Sequence, residues 1–84
     1  MTPARLREAW KGGSRDGRAG WRIRFDYDEG AISKLKEYIP AMCREWHEDE
    51  KYWWVDLNYE PAIMRVFPAF EAYLRQADMF AELV

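Results

Sequence analysis

Acid–base or nucleophilic chemistry in this chain would have to be built from one histidine, His47, one cysteine, Cys43, and two serines, Ser14 and Ser33. Nucleophilic catalysis needs a base within hydrogen-bond reach of the nucleophile, and no spacing here matches such a pair. Cys43 and His47 share strand parity, but four residues of extended chain separate them by roughly 13 Å, too far to share a metal ion. The run Glu48-Asp49-Glu50 offers carboxylates, yet it sits where a turn is expected, and solvated turn acids are ordinary. Four of the five glycines fall between positions 12 and 20 without the spacing of a phosphate-binding loop. No catalytic residue, metal ligand or cofactor is expected, which leaves recognition by a surface.

Charge is distributed unevenly. Residues 1–24 carry seven basic residues (Arg5, Arg7, Lys11, Arg15, Arg18, Arg22, Arg24) against two acidic ones, a balance of +5. Residues 25–84 carry six basic against thirteen acidic residues, a balance of −7. A basic arm on an acidic body is the pattern of nucleic-acid contact through the arm. The same cations also suit a solubilising leader or a segment docked on the protein's own acidic surface.

The elements that must position these groups follow from local pattern. An 84-residue chain with fourteen aromatic residues is one domain with one core. Thr2-Pro3, followed by Leu6, Ala9 and Trp10, predicts a short helix. The glycine-rich stretch 11–20 then predicts a flexible linker, so residues 1–20 form the arm and 21–84 the folded domain. Alternation from Trp21 to Tyr27 predicts a strand with Trp21, Ile23, Phe25 and Tyr27 inward. Asp28 caps a helix from Glu29 to Ile39, which Pro40 ends. Met42 to Asn58 predicts a hairpin in which Trp46 opposes Trp53 and Arg44 opposes Val55 on one side, while Tyr52 pairs with His47 and Trp54 with Glu45 on the other. Pro61 and Pro68 each open a helix, a short one to Val66 and a longer one to about Ala81. The fold class is therefore α+β, a small sheet with helices on one face in the core order β-α-β-β-α.

In that arrangement Arg22 and Arg24 point to the open sheet face together with Tyr52 and Trp54. Rings beside guanidinium groups make a platform for stacked bases. The competing reading packs Tyr52 and Trp54 against the N-terminal helix through Leu6 and Trp10 as a second small core.

Between Phe25 and Val55 the chain reads Phe25-Asp26-Tyr27, Leu35-Lys36, Ile39-Pro40, Arg44-Glu45-Trp46 and Lys51-Tyr52-Trp53-Trp54-Val55. This order resembles the HARP domain of annealing helicases and similar short modules of bacterial and phage proteins. The resemblance covers under half of the chain. It implies a small α+β module without catalysis of its own that engages forked or single-stranded DNA, with Arg44, Trp46, Lys51 and Trp53 on signature positions. The chain departs from the pattern in lacking a helicase motor and in its acidic body.

The expected function is a non-catalytic nucleic-acid-associated module. Arg5, Arg7, Lys11, Arg15 and Arg18 would neutralise phosphates from the arm, and Arg22, Arg24, Arg44, Lys51, Tyr52 and Trp54 would form the fixed surface. About five single-strand phosphate contacts predict a log–log salt slope near −3.5. The alternative is a small protein-binding or inhibitor protein of phage type, whose acidic body meets a basic partner or imitates DNA. No membrane contact is expected, a single cysteine suits a reducing cytoplasm, and the C-terminal helix with Met79, Phe80, Leu83 and Val84 offers an apolar end for a second copy.

Overall fold

The computed structural model describes residues 5–83, with side chains through residue 76. Four strands form one antiparallel sheet in the order β1-β2-β4-β3, and three helices complete an α+β domain. In chain order these are β1 (Leu6–Gly13), β2 (Ala19–Phe25), α1 (Glu29–Tyr38), β3 (Arg44–His47), β4 (Tyr52–Asp56), α2 (Glu60–Val66) and α3 (Phe70–Leu83).

Trp21, Ile23 and Val55 project from the sheet into a core closed by Ala31, Leu35 and Ile39 from α1 and its end. Ile63, Val66, Phe67 and Phe70 close it from α2 and α3. The ring of Trp21 meets Phe70 edge-on at 4.9 Å, and its indole N–H donates to Glu60 Oε2 at 2.7 Å. All these residues belong to one cluster, so the helices lie on one face of the sheet, as the alternation in β2 requires. Asp28 caps α1 as expected, its carboxylate accepting from the Ala31 amide at 2.9 Å. Ile39, in extended conformation before Pro40, ends it.

The hairpin register is also the expected one: Arg44 opposes Val55, Glu45 opposes Trp54, Trp46 opposes Trp53 and His47 opposes Tyr52. Tyr27 departs from expectation. β2 ends at Phe25, and the Tyr27 ring, instead of facing inward, is 79% exposed.

The N-terminal segment is the main correction. Residues 6–13 are an edge strand and not a helix, and the presumed flexible linker is the turn of a hairpin that returns into β2. Leu6, Ala9 and Trp10 satisfy helical spacing, but pairing with the alternating β2 supplies a long ladder that a short helix has no partner to match. Thr2 and Pro3 lie outside the described residues. The glycines serve backbone geometry: Gly17 turns the hairpin at φ 82°, and Gly20 lies so close under Val55 and the Trp54 ring that any Cβ would collide. Four strands therefore stand where three were expected, in the order β-β-α-β-β-α-α.

Candidate functional site

The sheet face away from the helices carries Trp10, Arg22 and Trp54, which oppose one another across the ladders, and Arg24 and Tyr52 two residues along β2 and β4. It is closed. Tyr52 and Trp54 are 3% and 0% exposed, so neither is a stacking platform for a ligand; Trp10 packs on this face as the competing reading has it, but from a strand, while Leu6 lies in the helix-side core. What covers these rings is arginine. The guanidinium of Arg18 lies 5.0 Å from the Trp54 ring centre, that of Arg22 4.9 Å from Tyr52, and that of Arg24 5.2 Å from Trp10. Trp10 meets Tyr52 edge-on at 5.7 Å, and His47 stacks on Tyr52 at 4.4 Å. Such contacts contribute on the order of 0.5–2 kcal/mol each as desolvation increases.

The polar ends of the same side chains are directed inward as well. The Trp54 indole N–H donates to the Gly12 carbonyl at 3.1 Å, and Arg22 donates to Gly13 at 2.9 Å. Arg24 donates to the Glu50 carbonyl at 2.8 Å and pairs with Glu8 at 3.1 Å. Arg15 donates to the Trp46 carbonyl at 3.0 Å, and Arg18 to that of Met42 at 2.6 Å. Arg7 pairs with Asp26, whose carboxyl is held below its usual range by that hydrogen bond. Lys11 lies 5.8 Å above Trp21. Arg5 is exposed. Most of the predicted arm is thus docked on the protein itself, and it is no free phosphate-binding leader. Arg44 faces the helix side opposite Val55 with its Nε buried and without a hydrogen-bond partner, so it does not join the other cations.

A different surface collects Phe25, Tyr27, Trp46, Lys51 and Trp53. Between the strands and α1 lies a groove of about 290 Å³. Ile23, Phe25, Trp46 and Trp53 line it from the strands, Ile32 from α1 and Tyr27 from the segment between β2 and α1. Arg24 and Lys51 complete the lining. Phe25 and Tyr27 come from one stretch of the chain and Trp46, Lys51 and Trp53 from another, and the fold brings all five together. Trp46 and Trp53 lie 5.3 Å apart at 44°, and Trp46 is 38% exposed. Leaving large rings in water forgoes roughly 1.5–3 kcal/mol of burial for each, so exposed neighbouring aromatics mark a surface with a use.

Two of the groove-lining side chains, Trp46 and Lys51, are held by Glu48. Its carboxylate accepts from the Trp46 indole N–H at 2.6 Å and pairs with the Lys51 ammonium at 2.6 Å. These two bonds, Lys51 first, hold the Glu48 carboxyl below its usual range. On the other face of β3, Glu45 Oε1 lies 2.9 Å from His47 Nε2 and accepts from the Arg15 amide at 3.1 Å. Burial raises the Glu45 carboxyl, but the His47 and Arg15 contacts together outweigh it and leave it lowered.

Of the predicted site residues, only Arg24 and Lys51 line the groove. Its rings were within reach of the sequence, because the register that pairs Trp46 with Trp53 also puts both beside Ile23 on the helix-side face. Among the described residues no three His, Cys, Asp or Glu side chains are placed to hold a metal ion, and no helix is long and apolar enough to cross a membrane. Comparison of the chain with models of protein families, with curated proteins and with solved structures returns no match.

Proposed function

We propose that this chain is a non-catalytic module that binds single-stranded nucleic acid, with unpaired bases entering the Trp46–Trp53 groove. The observation that carries the reading is the convergence of Phe25, Tyr27, Trp46 and Trp53 with Lys51 and Arg24 on one partly open cleft. Stacking of a base on an aromatic side chain contributes roughly 1–3 kcal/mol and tolerates any base, while Lys51 supplies a phosphate contact; the Arg24 guanidinium, held by the Glu50 carbonyl and Glu8 on the opposite face, supplies none. The HARP-like order of these residues agrees with engagement of unpaired DNA. The Arg22–Tyr52–Trp54 face has no part in it.

Fluorescence-anisotropy titration of a labelled oligothymidylate against salt tests the reading. One phosphate contact predicts a log–log slope of about −0.7, shallower than the value for a five-residue arm. Trp46→Ala weakens binding about 5- to 100-fold, the equivalent of one lost stack. Lys51→Ala lowers the slope by about 0.7. Tyr52→Phe, buried on the other face, leaves the affinity as it is. Wild-type affinity in Trp46→Ala contradicts the groove as the site. The rival reading, an acidic surface for a protein partner, draws on the exposed run Glu48-Asp49-Glu50 and predicts no oligothymidylate binding even at low salt.

A further inference from the structure

Three acids crowd the turn between β3 and β4, and of these three Glu48 bonds two groove-lining residues, Trp46 and Lys51, through its carboxylate. One oxygen, Oε2, fixes the Trp46 indole, and the other, Oε1, neutralises Lys51. A stacked base and a passing phosphate backbone make different demands on that arrangement. An unpaired base lays its ring on Trp46 and Trp53, where Glu48 holds the first of them in position. A duplex keeps its bases stacked inside and offers the groove phosphates alone; any phosphate gains Lys51 only by displacing Glu48, which a single strand offsets with its stacked base and a duplex does not.

Resting on the single-strand reading above, we propose that Glu48 is the specificity-determining residue of the groove, favouring unpaired strands over duplex. It does so by repulsion as well as attraction: its charge screens the cation that a duplex would use, and its acceptor oxygen orients the ring that a base would use. The low-lying Glu48 carboxyl keeps that charge in place throughout the neutral range.

Anisotropy titrations of wild type, Glu48→Gln, Glu48→Ala and Asp49→Asn against an oligothymidylate and a duplex of equal length test the assignment. Glu48→Gln removes the charge and keeps an oxygen for Trp46. Releasing an exposed ion pair tightens duplex binding up to about fivefold. The duplex salt slope steepens by about 0.9 as one more phosphate is neutralised. Single-strand binding changes less, so the preference for single strands narrows. Glu48→Ala also frees the indole and binds oligothymidylate more weakly than Glu48→Gln. Asp49→Asn, the same change of charge one residue on, keeps the wild-type ratio of the two affinities. An unmoved ratio in Glu48→Gln, or an equal movement in Asp49→Asn, overturns the role of Glu48 while the groove stands. If the wild type binds no oligothymidylate, the groove reading fails and the role of Glu48 falls with it.

Discussion

Lys51 occupies the last position of the four-residue connection between β3 and β4, at φ 57°, in the left-handed region that glycine enters without steric cost. Its amide still closes the turn, donating to the His47 carbonyl at 2.8 Å. Among the described non-glycine residues it alone has positive φ, and its ammonium is the one directed to Glu48 at the groove. A residue kept in a costly conformation beside a candidate site points to a use for its side chain. Lys51→Gly is therefore expected to separate stability from function. Relief of the left-handed strain, partly offset by the flexibility of glycine in the unfolded chain, stabilises the fold by up to about 1 kcal/mol. Oligothymidylate affinity falls at the same time. Urea unfolding and the anisotropy titration, run on the same sample, check both; a destabilised Lys51→Gly protein shows that the lysine serves the turn.

At the scale of elements, the β1–β2 hairpin is fastened across the sheet to β3 by the Arg15 amide on Glu45 and the Arg15 guanidinium on the Trp46 carbonyl. Glu45 has a carboxyl lowered in the folded state and a side chain only 15% exposed. A carboxylate of this kind contributes stability above its unfolded pKa and loses it as pH falls through the lower folded value. Wild type is thus expected to melt higher than Glu45→Gln from about pH 7 to pH 5, with the gap closing below about pH 4. Melting curves across that range decide it, and a gap that persists at about pH 3 removes Glu45 from the fastening. The same hairpin marks where sequence reading stops. β2, α1, α2 and the β3–β4 register follow from alternation, an Asp cap and prolines, all of them local signals. β1 does not, because its residues fit helical spacing equally well and only the distant β2 ladder decides. Its glycines resemble a linker for the same reason: the close approach of Gly20 to Trp54 is a tertiary fact. In the candidate site, Lys51 and Arg24 were legible as cations. Trp46 and Trp53 were within reach through the register; that Tyr52 and Trp54 are sealed by arginines from that hairpin was not.

Over the whole molecule, the +5 and −7 segments do not form an arm and a body. Arg7 is paired with Asp26 and Arg24 with Glu8, and Arg15, Arg18 and Arg22 donate to backbone carbonyls. The basic segment is thereby built into the sheet. The helix side packs against a hydrophobic core, the opposite face is closed by arginine on aromatic rings, and the Trp46–Trp53 groove stays partly open between strands and α1. The five tryptophans sample these regions separately, with Trp21 in the core, Trp10 and Trp54 on the closed face, and Trp46 and Trp53 at the groove. Their indole N–H signals in a proton–nitrogen correlation spectrum, followed as oligothymidylate is added, test the central claim most directly. Binding in the groove shifts Trp46 most strongly and Trp53 with it, leaving Trp21 and Trp54 in place. Shifts confined to Trp10 and Trp54, or no shift at saturating oligonucleotide, contradict it.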